Sequence, residues 1–358
     1  MSAHGKDQEP LLRVRDLAVH FPMGRKGFLG PRSYVHAVDY ISFDVPSGTT
    51  FGIVGESGSG KSTTAQAIMR LIDATAGSAE LDGVDLMKPR GTELRDMRRR
   101  FQVVFQDPFS SLNPRMTAEA IVGEPLERMG IGTPEERDRR VGELFEQVGL
   151  RQEQRVLFPH QFSGGQRQRI GIARALSTNP DLIICDEPVS ALDVAIQAQI
   201  LNLLLRLQKE LGLTYVFIAH DLGVVQHMCD EIGVMYLGEI VERGDRRNLF
   251  QRPLHPYTWA LLSAVPSAEP DRVNPHGRVQ LEGDPPSPID PPAGCRFASR
   301  CPFAERRCRD ETPKLRTIGN EGQQVACHLV KEDGTAPHTY LQRKDAGAAP
   351  VQAPGTAP

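Results

Sequence analysis

The stretch "GESGSGKST", Gly55–Thr63, follows the short apolar run "TFGIV" and precedes "AQAIMRLI", where apolar residues recur at helical spacing. Glycines in this pattern let successive backbone N–H groups curl around a phosphate, and the dipole of the following helix adds positive potential. A glycine-rich loop between a strand and a helix is the context that this chemistry requires. The stretch therefore predicts a nucleotide phosphate site on an α/β core.

Three residues of this loop have separate expected roles. Lys61 should bridge the β- and γ-phosphates, and Ser62 should coordinate Mg²⁺ through its hydroxyl with the help of Thr63. The backbone of the preceding loop residues should surround the phosphates: Gly55, Glu56, Ser57, Gly58, Ser59 and Gly60.

Polar residues close three further apolar runs. "DLIICDEP" ends on Asp186 and Glu187, where carboxylates are tolerated if they face Mg²⁺ and water. We expect Asp186 to hold the ion and Glu187 to act as the base that polarises the attacking water. Gln106 closes "FQVVFQ", and this position predicts that it binds Mg²⁺ and water. His220 closes "TYVFIAH", and this position predicts that it contacts the γ-phosphate.

The order of these runs indicates the fold class. Short apolar strands alternate with helical patterns, which is typical of a P-loop core with a largely parallel sheet. Upstream, "LLRVRDLAVHF" and "YISFDV" alternate apolar and polar residues and predict an antiparallel β N-terminal part, with "PMGRKGFLGPRS" as the loop between them.

We expect a nucleotide-binding domain at 11–265 that contains a helical subdomain at about 107–165, because no core strand is recognisable in that block. Eight of the 27 residues at 266–292 are proline, which predicts an extended linker. A cysteine-rich segment at 293–330 and a disordered tail at 331–358, rich in Ala, Pro and Gly, complete the chain.

Composition bears on localisation and partners. The formal net charge of -3 gives no field that would attract nucleic acid, so no nucleic-acid partner is expected. The N-terminus has no apolar signal core, and no run approaches the roughly 18 apolar residues of a membrane span. We expect a cytosolic chain.

A second phosphate-binding pattern, "FSGGQRQRIGIARAL", begins at Phe162. It places a Ser-Gly-Gly turn at the start of a helix, where free N–H groups point back at the turn. With the loop, the glutamine, the acid pair, "SALD" and the histidine in this order, the chain resembles the nucleotide-binding subunits of ABC transporters from about residue 12 to 263.

This resemblance implies that two subunits face each other head to tail and that the second turn closes on the partner's ATP. The residues implied for that contact are Ser163, Gly164, Gly165 and Gln166. Asp193 of "SALD" resembles the loop through which the two sites sense each other. Phe21 is implied to stack on adenine, with Tyr34 as a competing candidate.

Three further segments are similar to segments of oligopeptide and dipeptide importers: "VVFQDPFSSLNPRMT", "HPYTWALLSAVP" and "PPAGCRFASRCPF". "GRKGFLG" with "VHAVDYISF" is similar to the second, F-type ATPase of the pair that such importers carry. The resemblance implies a paralogous ATPase partner (or a homodimer in isolation), two membrane permease subunits, an extracytoplasmic peptide-binding protein and a peripheral place on the cytoplasmic membrane face. Importers of nickel or another small solute and soluble ABC ATPases remain alternatives.

The cysteine-rich segment carries Cys295, Cys301, Cys308 and Cys327 with the spacing C-x5-C-x6-C-x18-C. Its Pro- and Arg-rich composition predicts no independent hydrophobic core, so a metal centre would supply folding energy. Four cysteines suit zinc or a 4Fe-4S cluster, and the lack of a C-x2-C pair argues against a zinc ribbon. Some members of the resembled family carry the cluster, which favours 4Fe-4S over zinc, and a segment without metal remains an alternative.

Overall fold

The computed structural model describes residues 9–25, 32–107, 109–264, 281, 283–319 and 322–339. The chain divides into two compact units. Described residues through Glu239, together with Pro288–Asp290, belong to the first unit, and the remainder from Ile240 onward belong to the second.

Strands and helices alternate along most of the chain. The strands are β1 (Pro10–Arg25), β2 (Arg32–Pro46), β3 (Thr50–Val54), β4 (Ala76–Leu81), β5 (Val84–Asp85), β6 (Phe101–Val104), β7 (Leu182–Asp186), β8 (Thr214–Ala219), β9 (Glu231–Tyr236), β10 (Glu239–Asp245), β11 (Arg316–Ile318) and β12 (Gln323–Val325). The helices are α1 (Lys61–Ile68), α2 (Gly91–Met97), α3 (Ala118–Arg128), α4 (Pro134–Gln147), α5 (Gly164–Leu176), α6 (Val194–Leu211), α7 (Leu222–Met228), α8 (Arg246–Gln251), α9 (Pro256–Ser263) and α10 (Arg306–Asp310).

Two sheets form the first unit. The N-terminal sheet has the order β2-β1-β4-β5 with antiparallel pairing, and the core sheet of this unit has the order β9-β3-β8-β7-β6 with parallel pairing. All residues of β3 and β8 are buried, as expected for strands covered on both faces. The predicted fold class, a parallel α/β core preceded by an antiparallel part, is confirmed.

The parallel order determines where the site lies. The loop at Gly55, the acid pair at Asp186 and the histidine at 220 all follow the carboxyl ends of adjacent strands β3, β7 and β8. Gln106 lies two residues beyond β6, at the same edge. Carboxyl ends of neighbouring parallel strands are the usual location of ligands in such sheets.

Two element boundaries differ from the prediction. The interval 22–33 was expected to be a loop, yet the pairs Pro22↔Tyr34 and Arg25↔Arg32 extend both strands into it; residues 26–31 lie outside the described part. The apolar pattern predicted helix as far as Ile72, whereas α1 ends at Ile68. Arg70 adopts a positive φ of 55°, which takes the backbone out of the helical region.

The block between β6 and β7 is helical, as predicted. The N–H of Glu136 donates to the Thr133 hydroxyl at 3.3 Å and the Thr133 N–H donates to the Glu136 carboxylate at 2.7 Å, so a capping box precedes α4. Val141, Leu144 and Phe145 form the buried stripe of this helix. The predicted bounds of a helical subdomain remain a prediction.

The second unit contains its own antiparallel strands in the order β11-β12-β10. Contrary to the expectation that the cysteine-rich segment lacks an apolar core, a small buried cluster is present. Its members are Leu254, Ile318, Val325, Cys327, Val330 and Ala336, with Leu329 packed against it. The segment is therefore not dependent on a metal for all of its packing.

The predicted start of a disordered tail at residue 331 is also corrected. Ala336 and His338 are each 2% exposed, the His338 Nε2 bonds the Pro253 carbonyl at 2.9 Å, and its ring stacks on Trp259 at 4.9 Å. Buried contacts of these two side chains hold the chain in place through 339, which the composition of the segment did not reveal. Residues 340–358 lie outside the described part. Within the described residues, no helix combines the length and the apolar character needed to cross a membrane.

Candidate nucleotide-binding site

The phosphate loop is built around two glycines in close contact with neighbouring backbone. A Cβ at Gly60, where φ is 106°, would lie 2.1 Å from the Ala37 carbonyl oxygen, and a Cβ at Gly55 would lie 2.1 Å from that of Met235. Only glycine fits these positions. The loop is therefore fixed in place by β2 and β9 as well as by its own strand and helix.

Lys61 folds back over this loop. Its ammonium donates to the carbonyl oxygens of Gly55 at 2.9 Å and Glu56 at 2.8 Å. Burial lowers the pKa of Lys61, and the nearby carboxylates of Glu187 and Asp186 act in the opposite direction. A positive charge thus lies in the concave loop, where the phosphates of a nucleotide would be anchored.

Two side chains with oxygen atoms that could bind a magnesium ion lie beside the loop. The Ser62 hydroxyl donates to the Asp186 carboxylate at 3.0 Å, across 124 residues of sequence. Burial raises the pKa of Asp186, while the Ser62 hydrogen bond and Lys61 favour its charged form. The Ser59 hydroxyl is buried and has no hydrogen-bond partner in the structure. An oxygen-rich pair and an unsatisfied donor fit a Mg²⁺–nucleotide complex.

Glu187 joins the two strand-end residues predicted to work with it. Its Oε2 accepts from the Gln106 amide at 3.1 Å and lies 3.0 Å from the His220 Nδ1. The Glu187 side chain is 15% exposed, whereas that of His220 is 58% exposed. Glu187 has a φ of 48°, a region that is costly for a residue with a Cβ and that recurs at functional positions. The structure thus brings the three predicted catalytic residues together.

The second turn caps helix α5. The Ser163 hydroxyl accepts from the Gln166 N–H at 3.3 Å, and the Gln166 side chain accepts from the Ser163 N–H at 3.0 Å. A Cβ at Gly165 would lie 2.6 Å from the Ile196 Cγ2 of α6, and one at Gly164 would lie 3.3 Å from Leu192. The glycines therefore also permit close packing inside one chain, a reason that the sequence pattern did not reveal.

Asp193 is the N-cap residue of α6. The helix begins at Val194, which is 81% exposed. The predicted sensing loop lies next to the second turn, because Leu192 and Ile196 flank Asp193 and would lie 3.3 and 2.6 Å from a Cβ at Gly164 and Gly165 of that turn, respectively.

The two adenine-stacking candidates lie on neighbouring strands. Phe21 is 41% exposed and pairs with Val35, whereas Tyr34 is 38% exposed and pairs with Pro22. Since successive residues of a strand point to opposite faces, this register places Phe21 and Tyr34 on opposite faces of the β1–β2 pair. Only one of the two can face a given nucleotide.

The four cysteines of the second unit lie near one another. Burial raises the pKa of the Cys301 thiol to about 12, and Cys327, Cys295 and Cys308 add to that rise. The Cys295 N–H also donates to the Cys308 carbonyl at 2.7 Å. In the described residues, the only three ligand atoms within 4.8 Å of one another belong to His20, His36 and Asp39, so no three of the four thiol sulfurs are that close together.

Two features of the molecule escaped the sequence patterns. Ala37 and Met235 support the phosphate loop through carbonyl oxygens, for which no side-chain signal exists. The cluster of His20, His36 and Asp39 depends on the register of β1 against β2, and the sequence does not specify that register.

Comparisons with known proteins agree with this geometry. The ABC transporter family model matches residues 38–190, and the model for the oligopeptide/dipeptide transporter C-terminal region matches residues 241–308. The putative oligopeptide transport ATP-binding protein YkfD of Bacillus subtilis (strain 168) is 49% identical over 327 residues, covering 91% of this chain and 97% of YkfD. The chain belongs to the ATP-binding proteins of peptide ABC transporters.

Other relatives extend over similar lengths. The oligopeptide transport ATP-binding protein AppF of Bacillus subtilis (strain 168) is 48% identical, with 90% of this chain and 98% of AppF aligned. Among solved structures, the ATP-binding cassette MJ0796, a dimer in a post-hydrolysis state bound to ADP and Pi, has a TM-score of 0.59 at 31% identity, covering 66% of this chain and 99% of MJ0796.

Membership of this ABC family makes the chain an ATPase that binds ATP with Mg²⁺ and couples its hydrolysis to transport. The residues described above fit both groups, since the loop, the Lys61 ammonium and the Ser62–Asp186 pair offer the donors and acceptors that a Mg²⁺–nucleotide requires.

Proposed function

We propose that this ABC ATPase powers the uptake of di- and oligopeptides as the second of two related ATPase subunits of an importer. The observation that carries the proposal is the match of residues 241–308 to the oligopeptide/dipeptide transporter C-terminal region, outside the nucleotide site. YkfD and AppF, whose names refer to oligopeptide transport, align with this chain over nearly their full lengths. An importer of nickel or another small solute is the alternative.

The geometry of the site supports the following catalytic roles. Lys61 holds the β- and γ-phosphates, and the N–H groups of the loop from Gly55 to Gly60 surround them. Ser62, Asp186 and Gln106 would hold Mg²⁺, which when bound would neutralise charge on these phosphates. Because phosphoryl transfer depends mainly on positioning and charge stabilisation, this cradle supplies most of the rate enhancement.

Glu187 orients and polarises the attacking water. Its hydrogen bonds to Gln106 and His220 fix the carboxylate at the strand ends. His220, with the more exposed side chain of the two, is free to turn from Glu187 to the γ-phosphate when nucleotide is bound. The pair thus combines a water-activating base with a phosphate contact.

Each complete ATP pocket is formed by two polypeptides. Ser163, Gly164, Gly165 and Gln166 at the start of α5 offer N–H groups and a hydroxyl to the γ-phosphate of a partner's nucleotide. Asp193, next to this turn, couples the two pockets. The natural mate is a paralogous ATPase, and two copies of this chain pair in its absence; the dimeric MJ0796 cassette offers a fold-level precedent.

A groove of about 340 Å³ on the first unit suits a membrane subunit. Apolar side chains line it, including Leu71 and Phe105, which are 52% and 38% exposed, while Arg98, Glu124 and Arg128 also border it. We assign this groove to a short amphipathic helix of a permease. Helix α3 borders the groove, and its lining residue Phe105 directly precedes Gln106 in the sequence. Closure of the ATP pocket would then move the permease as a rigid body.

The remaining partners follow from this function. Two permease subunits form the translocation path, an extracytoplasmic binding protein selects the peptide, and the chain lies peripherally on the cytoplasmic face of the membrane. We retain the domain division proposed from the sequence, 11–265 with a helical subdomain at 107–165, then 266–292 and 293–330, with the last part extended to 339.

We propose that the four cysteines hold a 4Fe-4S cluster, with zinc as the alternative. Tetrahedral zinc requires thiolates roughly 3.8 Å apart at a Zn–S distance of about 2.3 Å, whereas no three of these sulfurs, all in the described part of the chain, lie within 4.8 Å of one another. A cluster of four irons spaces its thiolates more widely than one ion does. Anaerobic purification followed by iron and acid-labile sulfide analysis tests this assignment. A folded protein without iron overturns it.

The peptide function is tested by purifying the tagged full-length chain from its native membrane and identifying what accompanies it. We expect a paralogous ATPase and two permeases whose ATPase activity in proteoliposomes rises with peptide-loaded binding protein. Stimulation by a nickel-loaded binding protein and not by peptide would replace peptide with nickel. Ribosomes or DNA in place of permeases would contradict the transporter role.

A further inference from the structure

Two imidazoles and one carboxylate meet in the antiparallel sheet of the first unit, outside the residues assigned to the nucleotide. His20 on β1 and His36 on β2 are direct cross-strand partners, so their side chains lie on one face of the strand pair. Asp39 follows three residues later on β2. The three side chains are 13%, 26% and 12% exposed, so they are shielded from water yet reachable by an ion.

The distances within this cluster are short. His20 Nε2 lies 2.7 Å from Asp39 Oδ1, and His36 Nδ1 lies 3.3 Å from Asp39 Oδ2. The two imidazole rings are 4.1 Å apart between centroids and inclined by 37°. One ligand atom from each residue lies within 4.8 Å of the other two, which no other set of three achieves among the described residues.

The backbone holds both strands in this arrangement. The His20 N–H donates to the Thr75 hydroxyl at 2.8 Å, and the Asp39 N–H donates to the Gly238 carbonyl at 2.9 Å. The Gly238 N–H in turn donates to the Ser59 carbonyl at 2.8 Å. His20 is thus anchored from β4's side of the sheet, and Asp39 from the phosphate loop.

The donor set is that of a transition-metal site. Two neutral imidazoles and a carboxylate suit Zn²⁺ and chemically similar ions, and do not suit Mg²⁺. Ligand atoms around a tetrahedral ion at about 2.0–2.2 Å are roughly 3.3–3.6 Å apart. The observed 2.7 and 3.3 Å separations require only small side-chain rotations to reach that spacing.

We propose that His20, His36 and Asp39 bind a zinc-class divalent ion that ties β1 to β2 beside the phosphate loop. Each neutral imidazole would present an unprotonated ring nitrogen to the ion and keep its one proton on the other ring nitrogen. Three protein ligands leave at least one position for water. The role is structural, because the tie joins two strands and none of the three residues is assigned to the nucleotide.

Cobalt provides the direct probe. The nucleotide-free full-length chain is titrated with Co²⁺ and followed by visible absorption, with the variants His20→Gln, His36→Gln and Asp39→Asn beside the parent. His227→Gln is the matched control, since His227 is a histidine on α7 that bonds Asn202 at 3.4 Å. We expect visible d–d bands without intense near-ultraviolet thiolate charge transfer, and about tenfold or weaker binding in each ligand variant but not in the control.

A thermal unfolding series complements the titration. Zn²⁺ should raise the Tm of the parent and of His227→Gln, and should raise that of the three ligand variants much less. Mg²⁺ should have no such effect on the nucleotide-free chain. The proposal is overturned if the folded parent binds no Co²⁺, if the spectrum is that of thiolate ligation only, or if all ligand variants bind Co²⁺ like the parent.

Discussion

Glu187 lies at the meeting point of three strand ends, and its replacement separates catalysis from binding. We expect Glu187→Gln to slow ATP hydrolysis by about 10²–10⁴-fold, because the neutral amide cannot polarise water, while ATP affinity is retained. Phosphate release and equilibrium binding of a fluorescent ATP analogue measure the two effects. Glu210→Gln on α6, where the carboxylate pairs with Arg206 at the surface, is the control.

Lys61→Ala should give the opposite pattern. Removing the ammonium that lies over Gly55 and Glu56 takes away the main charge partner of the phosphates, so nucleotide binding itself should weaken by tenfold or more, an effect of roughly 1.4 kcal/mol or more. The same binding assay decides this. Tight ATP binding by Lys61→Ala, or parental turnover by Glu187→Gln, would show that these two roles are misassigned.

Helix α5 offers a matched pair of glycines. A Cβ at Gly165 would lie 2.6 Å from Ile196, whereas a Cβ at Gly171 would meet nothing within 4 Å. Gly165→Ala should therefore destabilise the protein by about 1–3 kcal/mol, because the side chains of α6 must move. Gly171→Ala should stabilise it by up to about 1 kcal/mol through helix propensity. Urea unfolding measures both, and equal effects would contradict the close packing at the second turn.

A buried carboxylate in the second unit predicts pH-dependent stability. Glu242 accepts from the Leu254 N–H at 2.7 Å and the His255 N–H at 2.8 Å, yet burial raises its pKa from 4.5 to about 7. Since the folded state holds this proton more tightly than the unfolded state, the stabilising contribution is complete below pH 4.5 and is lost as pH rises through 7. The loss amounts to about 3 kcal/mol at most.

Urea unfolding of the parent and Glu242→Gln between pH 5 and 8 isolates this group. The difference in unfolding free energy between the two proteins should change with pH in that window, because only the parent titrates at position 242. His255, whose pKa burial lowers to about 3, is present in both proteins, so its effect cancels. A difference independent of pH would show that Glu242 keeps one charge state throughout.

At the scale of elements, local chemistry explains what could be predicted. The phosphate loop and the strand-end carboxylates depend on short patterns whose physics is contained in a few residues, and both were recognised from the sequence. The extension of β1 through Arg25 depends on cross-strand pairing, and the order at Ala336 and His338 depends on contacts with distant residues. Such long-range packing leaves no local pattern.

The whole molecule is a P-loop ATPase with a further unit that contains four cysteines, and its proposed function requires a second chain. The cradle formed by Lys61 and the turn at Ser163 lie at the starts of separate helices, α1 and α5. In the proposed arrangement, a single chain offers the first to its own nucleotide and the second to its mate's. The two parts can therefore be disabled separately.

Mixing two inactive variants tests this claim most directly. Lys61→Ala lacks a working cradle, and Ser163→Arg lacks a working second turn, so each alone should be inactive. In a mixed dimer, one pocket combines the intact cradle of the Ser163→Arg chain with the intact turn of the Lys61→Ala chain. We predict that mixing restores ATP hydrolysis with a dependence on protein concentration. Activity of Ser163→Arg alone at the parental rate, or a mixture no more active than the sum of its parts, would contradict the two-chain pocket.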